Sequence, residues 1–147
     1  MVLVLRIFRS DGTDQGPGSH RALFPTRDTM NATAMHGDPG MRQAYVCAPY
    51  TAPTQEKIRA NVTRAVLAGL NLSRAGWFPI VPHVQGPHTA TWEEAMERCR
   101  SLVQGLRPKC DVLVVLPGWE RSLGALEEVA LARKLGITVR TLAEALR

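Results

Sequence analysis

The stretch Cys110-Asp111-Val112-Leu113-Val114-Val115-Leu116 decides the fold. It is an unbroken run of β-branched and aliphatic side chains. A strand with one wet face alternates apolar and polar residues; an unbroken run marks a strand covered on both faces. Such a strand belongs in a parallel sheet with helices above and below it.

The flanking sequence repeats the same theme in both directions. Downstream, Pro117–Ser122 reads as a loop, and Leu123–Leu135 as a helix closed by Gly136. Ile137–Arg140 follows as a strand, and Leu142–Leu146 as a short last helix. Upstream, Trp92 to Leu106 reads as a helix with Ala95, Met96, Cys99, Leu102, Val103 and Leu106 turned inward. Before it come a strand at Phe78–Val81 and a loop at Pro82–Thr89. Thr54 is a helix cap, and Ile58, Val62, Ala65, Val66, Gly69 and Leu72 repeat at the helical period from Gln55 to about Ala75. Gly76 supplies the stop. Ala44–Ala48, ending at Pro49, is the first strand.

Strands and helices therefore alternate, which predicts right-handed βαβ units and an α/β, flavodoxin-like or Rossmann-like three-layer domain. A parallel sheet of four to five strands is expected over residues 43–147. Residues 1–42 are rich in Gly, Ser, Thr, Asp and Asn, have no apolar period, and are expected to form a mobile tail. Open α/β sheets bind ligands outside the carboxyl ends of their strands. That rule puts Pro49–Thr54, Pro82–Thr89 and Pro117–Gly124 at the site.

Composition narrows the function classes. The chain has 147 residues, 45% of them hydrophobic and 21% charged, which suits one packed domain. No apolar run approaches the roughly 20 residues of a membrane helix. The opening MVLVLRIFRS lacks the basic segment and cleavage site of a signal peptide. A cytoplasmic protein without a membrane partner is expected. The net charge of +5 is scattered, and aromatics are only 5% of the chain. Nucleic-acid binding wants a clustered basic face with stacking rings, so none is expected. Cys47, Cys99 and Cys110 form no CxxC pair and read as reduced core residues. The four histidines add no metal-ligand spacing, and neither a metal nor a cofactor is expected.

The stretch Ser122-Leu123-Gly124-Ala125-Leu126-Glu127-Glu128-Val129-Ala130-Leu131-Ala132 carries the chemical signal. It opens a helix directly after a strand-end loop, where free backbone N–H groups and the helix dipole face the presumed site. Gly124, Glu128 and Ala132 share one stripe at i, i+4, i+8 spacing, so small residues flank Glu128 and leave room for a ligand. Glu127 falls on another stripe and is expected at the solvent edge. Tyr50 and Trp119 lie on site-facing loops, as stacking partners for a base or as packing anchors. Trp77 and Trp92 begin elements and read as packing. Asp111 reads as a strand-start residue bonded to backbone.

Tyr45-Val-Cys-Ala-Pro-Tyr50, the strand Cys110–Val115 and the Ser122–Ala132 stretch together resemble the signatures of the nucleoside 2-deoxyribosyltransferase superfamily. That superfamily includes 2′-deoxynucleoside 5′-monophosphate N-glycosidases. The resemblance covers residues 43–141. It is nearest to a branch common in bacteria and phages, where Pro79–Val84 and the segment from Pro117 to Leu135 also have counterparts.

The resemblance implies a flavodoxin-like fold. It puts the family's nucleophile on Glu128 and the tyrosine that orients it on Tyr45, with Ser122 and Gly124 on the loop that contacts sugar or phosphate. Pro49, Tyr50, His83 and Trp119 complete the expected substrate-binding set. It also implies a homodimer or larger, with Leu67 and Leu70 as extra apolar residues on the first helix. Two features depart from the transferases. Ser122 stands where they carry an aspartate, as in the N-hydrolase branch. The helix before Asp111 has Cys99, Arg100 and Ser101 and no acid beyond Glu97. The general acid is thus His83, Glu120 or absent. The expectation is hydrolysis or transfer of an N-glycosidic bond of a small-molecule nucleoside or nucleotide; the alternative is an inactive nucleotide-binding module.

Overall fold

A computed structural model describes residues 40–85 and 90–147. The expected tail, apart from residues 40–42, and positions 86–89 of the second loop lie outside the described residues. Strands β1 (Gln43–Cys47), β2 (Phe78–Ile80), β3 (Val112–Val115) and β4 (Thr138–Thr141) alternate with helices α1 (Gln55–Arg74), α2 (Trp92–Gln104), α3 (Leu123–Lys134) and α4 (Leu142–Ala145). Pro82–Val84 and Trp119–Arg121 each form a short 3-10 turn.

All strand pairs are parallel, in the order β2-β1-β3-β4. Four strands are present among the described residues, the lower end of the expected number. β3, the unbroken apolar run, is central and buried along its whole length. Its residues alternate between two cores, as the pleat requires. Leu113 and Val115 join Tyr45, Cys47, Val103, Ala125 and Val129 on the α2/α3 face. Val112 and Val114 join Ala44, Val46, Ala65 and Leu72 on the α1/α4 face. Helices thus cover both faces, and the domain is a flavodoxin-like three-layer α/β fold.

The helix ends follow the sequence signals. The Thr54 hydroxyl accepts from the Lys57 N–H at 3.3 Å. Thr91 and Thr141 form full capping boxes with Glu94 and Glu144. Gly76 and Gly136 take the left-handed conformation, with φ of 85° and 73°, just past α1 and α3.

The amino-terminal edge of the sheet is clamped by Asp111, which is almost fully buried. It accepts from Gln43 N (2.8 Å) and Arg107 N (2.7 Å), and from the Arg107 guanidinium at 2.9 and 3.0 Å. The same guanidinium donates to the Met41 carbonyl, and Arg42 stacks 4.3 Å over the Trp77 ring. Met41 and Arg42 are therefore already tied into the domain, two residues before the expected boundary.

Several sequence expectations need correction. Cys110 is exposed, because it lies in the turn Arg107–Asp111 rather than in the strand. Trp92 is 49% exposed, since the first residue of α2 projects past the core. Ala68 is buried on α1 although the period omitted it; Leu67 and Leu70 are exposed, off the main apolar face as expected. Among the described residues no helix is long and apolar enough to cross a membrane.

Candidate functional site

The order β2-β1-β3-β4 reverses direction between β1 and β3. The loops after these two strands lie at their carboxyl ends, the usual ligand side in such sheets. Pro49 and Gly118 meet there: a Cβ on Gly118 would lie 3.6 Å from Pro49 Cγ. Gly118 has φ of 92°, the left-handed conformation that lets the chain turn sharply into Trp119–Arg121.

α3 begins beyond this turn. The Ser122 hydroxyl caps it, accepting from Ala125 N at 3.4 Å. Gly124 serves helix packing: Met96 Sδ of α2 lies 3.0 Å from where a Cβ would be. Ala132 is fully buried in the core. The small residues beside Glu128 therefore admit α2 and the sheet against α3, and the room expected there for a ligand is filled by protein.

Glu128 is only 7% exposed, one of two charged side chains buried among the described residues, with Asp111. The two differ in kind. Asp111 is saturated with donors; burial raises its pKa, but the Arg107 guanidinium and the Gln43 and Arg107 N–H groups outweigh this and hold it low. Among the described residues no cation pairs with Glu128. Burial pushes its carboxyl above the ordinary range, and the thiols of Cys47 and Cys99 and the hydroxyl of Tyr45 counter only part of that shift.

These three neighbours come from two elements. Tyr45 and Cys47 stand on the α3-facing side of β1, and Cys99 on α2. Burial, then the Glu128 charge, pushes the Tyr45 hydroxyl and the Cys47 thiol well above their usual ranges. Cys47 Sγ donates to the Ala125 carbonyl at 3.6 Å. Cys99 is pushed up to about 11, by burial first and by Glu128 second. All three are neutral donors at neutral pH. The buried Tyr45 Oη completes no hydrogen bond among the described residues, so its approach to Glu128 is electrostatic contact rather than a formed bond.

His83 is on the turn after β2. Its Nε2 is 3.1 Å from the Ala48 carbonyl, an acceptor only, so Nε2 carries the hydrogen. Burial lowers its pKa, against the pull of the Ala48 and Pro49 carbonyls. Nδ1 is a buried lone pair with no hydrogen-bond partner among the described residues. Tyr50 is 44% exposed, its ring centroid 6.0 Å from that of His83. Trp119 is half-buried and packs on the α2/α3 core. Glu120 is exposed.

The structure brings Glu128 and Tyr45 together, and His83 together with Pro49 and Tyr50. Sequence reading missed Cys47 and Cys99 as neighbours of Glu128. Their signal was available: Cys47 shares the inward face of β1 with Tyr45, and Cys99 lies three residues after Met96 on the inward stripe of α2.

The model of the family described as Domain of unknown function (DUF4406) matches residues 44–141, about two thirds of the chain. The chain belongs to the DUF4406 family. The DUF4406 match runs from the second residue of β1 to the last of β4. It includes Glu128 and every residue gathered around it. Among curated proteins nothing matches this DUF4406 chain.

Proposed function

We propose that the protein cleaves or transfers the N-glycosidic bond of a (deoxy)nucleoside or its 5′-monophosphate, with Glu128 as nucleophile. One observation carries this reading: a buried carboxylate with no cation among the described residues, set against the Tyr45 hydroxyl and two thiols near the carboxyl end of β1. Structural carboxylates are normally paired, as Asp111 is; an unpaired one is costly and points to function. The likeness to the nucleoside 2-deoxyribosyltransferase superfamily gives Glu128 the same role.

In the first step a Glu128 oxygen forms a bond to C1′ as the C1′–N bond breaks. The electron pair leaves with the base, which takes a proton. In the second, water or another base attacks C1′, the ester bond to Glu128 breaks, and the attacking group loses a proton. Tyr45 and Cys99 are the donors toward the carboxylate in its free and departing forms, while the Cys47 thiol donates to the Ala125 carbonyl.

The proton for the base comes from solvent in this reading. Neutral His83 directs its only N–H at Ala48, and Glu120 is exposed. The same facts favour a second reading, a nucleotide-binding module without turnover. Incubation with a panel of nucleosides and 5′-monophosphates, with chromatography for free base, separates the two. Release that disappears in Glu128→Gln supports the enzyme. Tight binding without release supports the binding module.

A further inference from the structure

α1 presents two apolar sides, and one of them faces away from the domain. Ala65, Ala68 and Leu72 enter the core with Val112 and Val114. On the outer side, Ala60, Thr63, Leu67 and Leu70 are all exposed and follow one another at steps of 3, 4 and 3 residues. Alternating steps of three and four average about 3.5 residues, the repeat of a coiled-coil seam. Leu67 and Leu70 are 54% and 51% exposed. A single surface leucine is ordinary, but two on a seam-like line make a place for another helix to pack. α1 covers the face of the sheet opposite α3, so this surface is independent of the function proposed for Glu128.

The charges beside the line are of one sign. Lys57 and Arg64 flank it on one side, Arg59 on the other, and Arg74 stands at its end. All four are exposed, and none forms an ion pair among the described residues. Arg64 donates only to the Asn61 carboxamide oxygen, at 3.0 Å. Glu56, in the first turn, is the one acid of α1, whereas α2 and α3 mix acids and bases. We propose that the outer face of α1 docks an acidic amphipathic helix of a partner protein. Its apolar side chains pack on Leu67 and Leu70, and its Glu or Asp residues meet Lys57, Arg59 and Arg64. A second copy of this chain, the occupant implied by the family resemblance, fits the charges badly. In a parallel pair of α1 helices Arg59 of each copy would face Arg64 of the other. In an antiparallel pair each flank would face itself, Lys57 and Arg64 against the same residues. Like charges set opposite one another select against that pairing and for an acidic partner. An anionic bilayer needs a broader apolar face than two leucines and an alanine supply.

The test uses the full chain and two synthetic peptides. One is a helix former with leucine at the seam positions and glutamate on both flanks; the other has lysine in place of every glutamate. Each carries a fluorophore, and binding is followed by anisotropy at low and high salt. The protein is wild type, Leu67→Gln/Leu70→Gln, which removes the apolar line, or Arg59→Glu/Arg64→Glu, which reverses the flanks. Light scattering gives the oligomeric state of each, and sedimentation with phosphatidylserine vesicles measures lipid binding. Thermal melting reports folding, which these exposed positions should leave intact.

The expected result is that wild type binds the glutamate peptide about tenfold or more tightly than the lysine peptide, and more weakly as salt rises. Leu67→Gln/Leu70→Gln should lower that affinity about tenfold or more. Arg59→Glu/Arg64→Glu should turn the preference toward the lysine peptide. Should the leucine variant melt early, the charge reversal decides the matter. The proposal is overturned if the glutamate peptide does not bind, if the two peptides bind equally, or if the folded variants bind as wild type does. A wild-type dimer that the leucine variant dissociates gives the face to a second copy and overturns it too. Vesicle binding that depends on Leu67 and Leu70 gives the face to a membrane, with the same consequence.

Discussion

Glu127 and Glu128 are neighbours in sequence and opposites in environment. Glu127 meets Arg100 of α2 at 3.4 Å with its side chain about half in solvent, while Glu128 is 7% exposed with no cation beside it among the described residues. The two therefore form a matched pair for mutation. Glu128→Gln should abolish base release, raising the barrier by about 4–8 kcal/mol, because the amide is a poor nucleophile. Glu127→Gln should leave turnover within about twofold, since a surface ion pair contributes little. Chromatographic base release checks both; equal activity in the two variants would remove Glu128 from the mechanism.

The same Glu128→Gln change should stabilise the fold, increasingly so at higher pH. The folded-state pKa of Glu128 is raised above its ordinary 4.5, so the folded protein binds this proton more tightly than the unfolded chain. Its contribution is fully present below 4.5 and lost as pH rises through the raised value. Melting temperatures of variant and wild type should converge in acid and diverge toward neutral pH. A constant difference across that window would contradict the assignment.

His83 shifts in the other direction. Its folded pKa lies below 6.5, so the unfolded chain takes up a proton first. Stability should fall as pH drops from 6.5 toward the lowered value. His83→Gln should flatten that part of the stability curve, measured by urea midpoints; an unchanged slope would show that the imidazole titrates as freely as in the unfolded chain.

Asp111→Ala should cost about 2–4 kcal/mol, because it strips partners from the Gln43 and Arg107 N–H groups and leaves Arg107 without its carboxylate. Asp111 is at the amino end of the strands, away from the Glu128 cluster, so kcat of the remaining folded protein should be unaltered. Urea denaturation with parallel kinetics checks both halves.

Gly124→Val should destabilise by about 1–3 kcal/mol by displacing Met96 Sδ. Met96→Ala costs stability alone but should recover part of the loss in the double variant. A double-mutant cycle on thermal melts measures this coupling, and strict additivity would contradict the packing role of Gly124.

The elements were legible because their signals are local. Val112–Val115 shows two-sided burial in its composition, and Thr54, Thr91, Gly76 and Gly136 mark helix ends by side-chain chemistry. Glu128 stood out by its spacing from Gly124 and Ala132. What that spacing meant was not legible: whether a small residue faces a ligand or another helix depends on Met96, twenty-eight residues away in the chain. Cys99 escaped notice for the same reason, since its neighbours come from β1 and α3. Cys110 and Trp92 were misjudged because composition does not fix where a strand or a core ends.

β2 is three residues long, forms one edge of the sheet, and has Pro79 at its centre. Proline has no N–H to offer an incoming strand. Another chain that approached this margin would find the ladder interrupted at the middle rung, so the sheet resists being lengthened into a fibre from that side. The opposite margin, β4, carries Arg140, whose charge discourages stacking of like copies. Among the described residues, a sheet built from aggregation-prone strands thus has two margins that are poor templates for self-assembly.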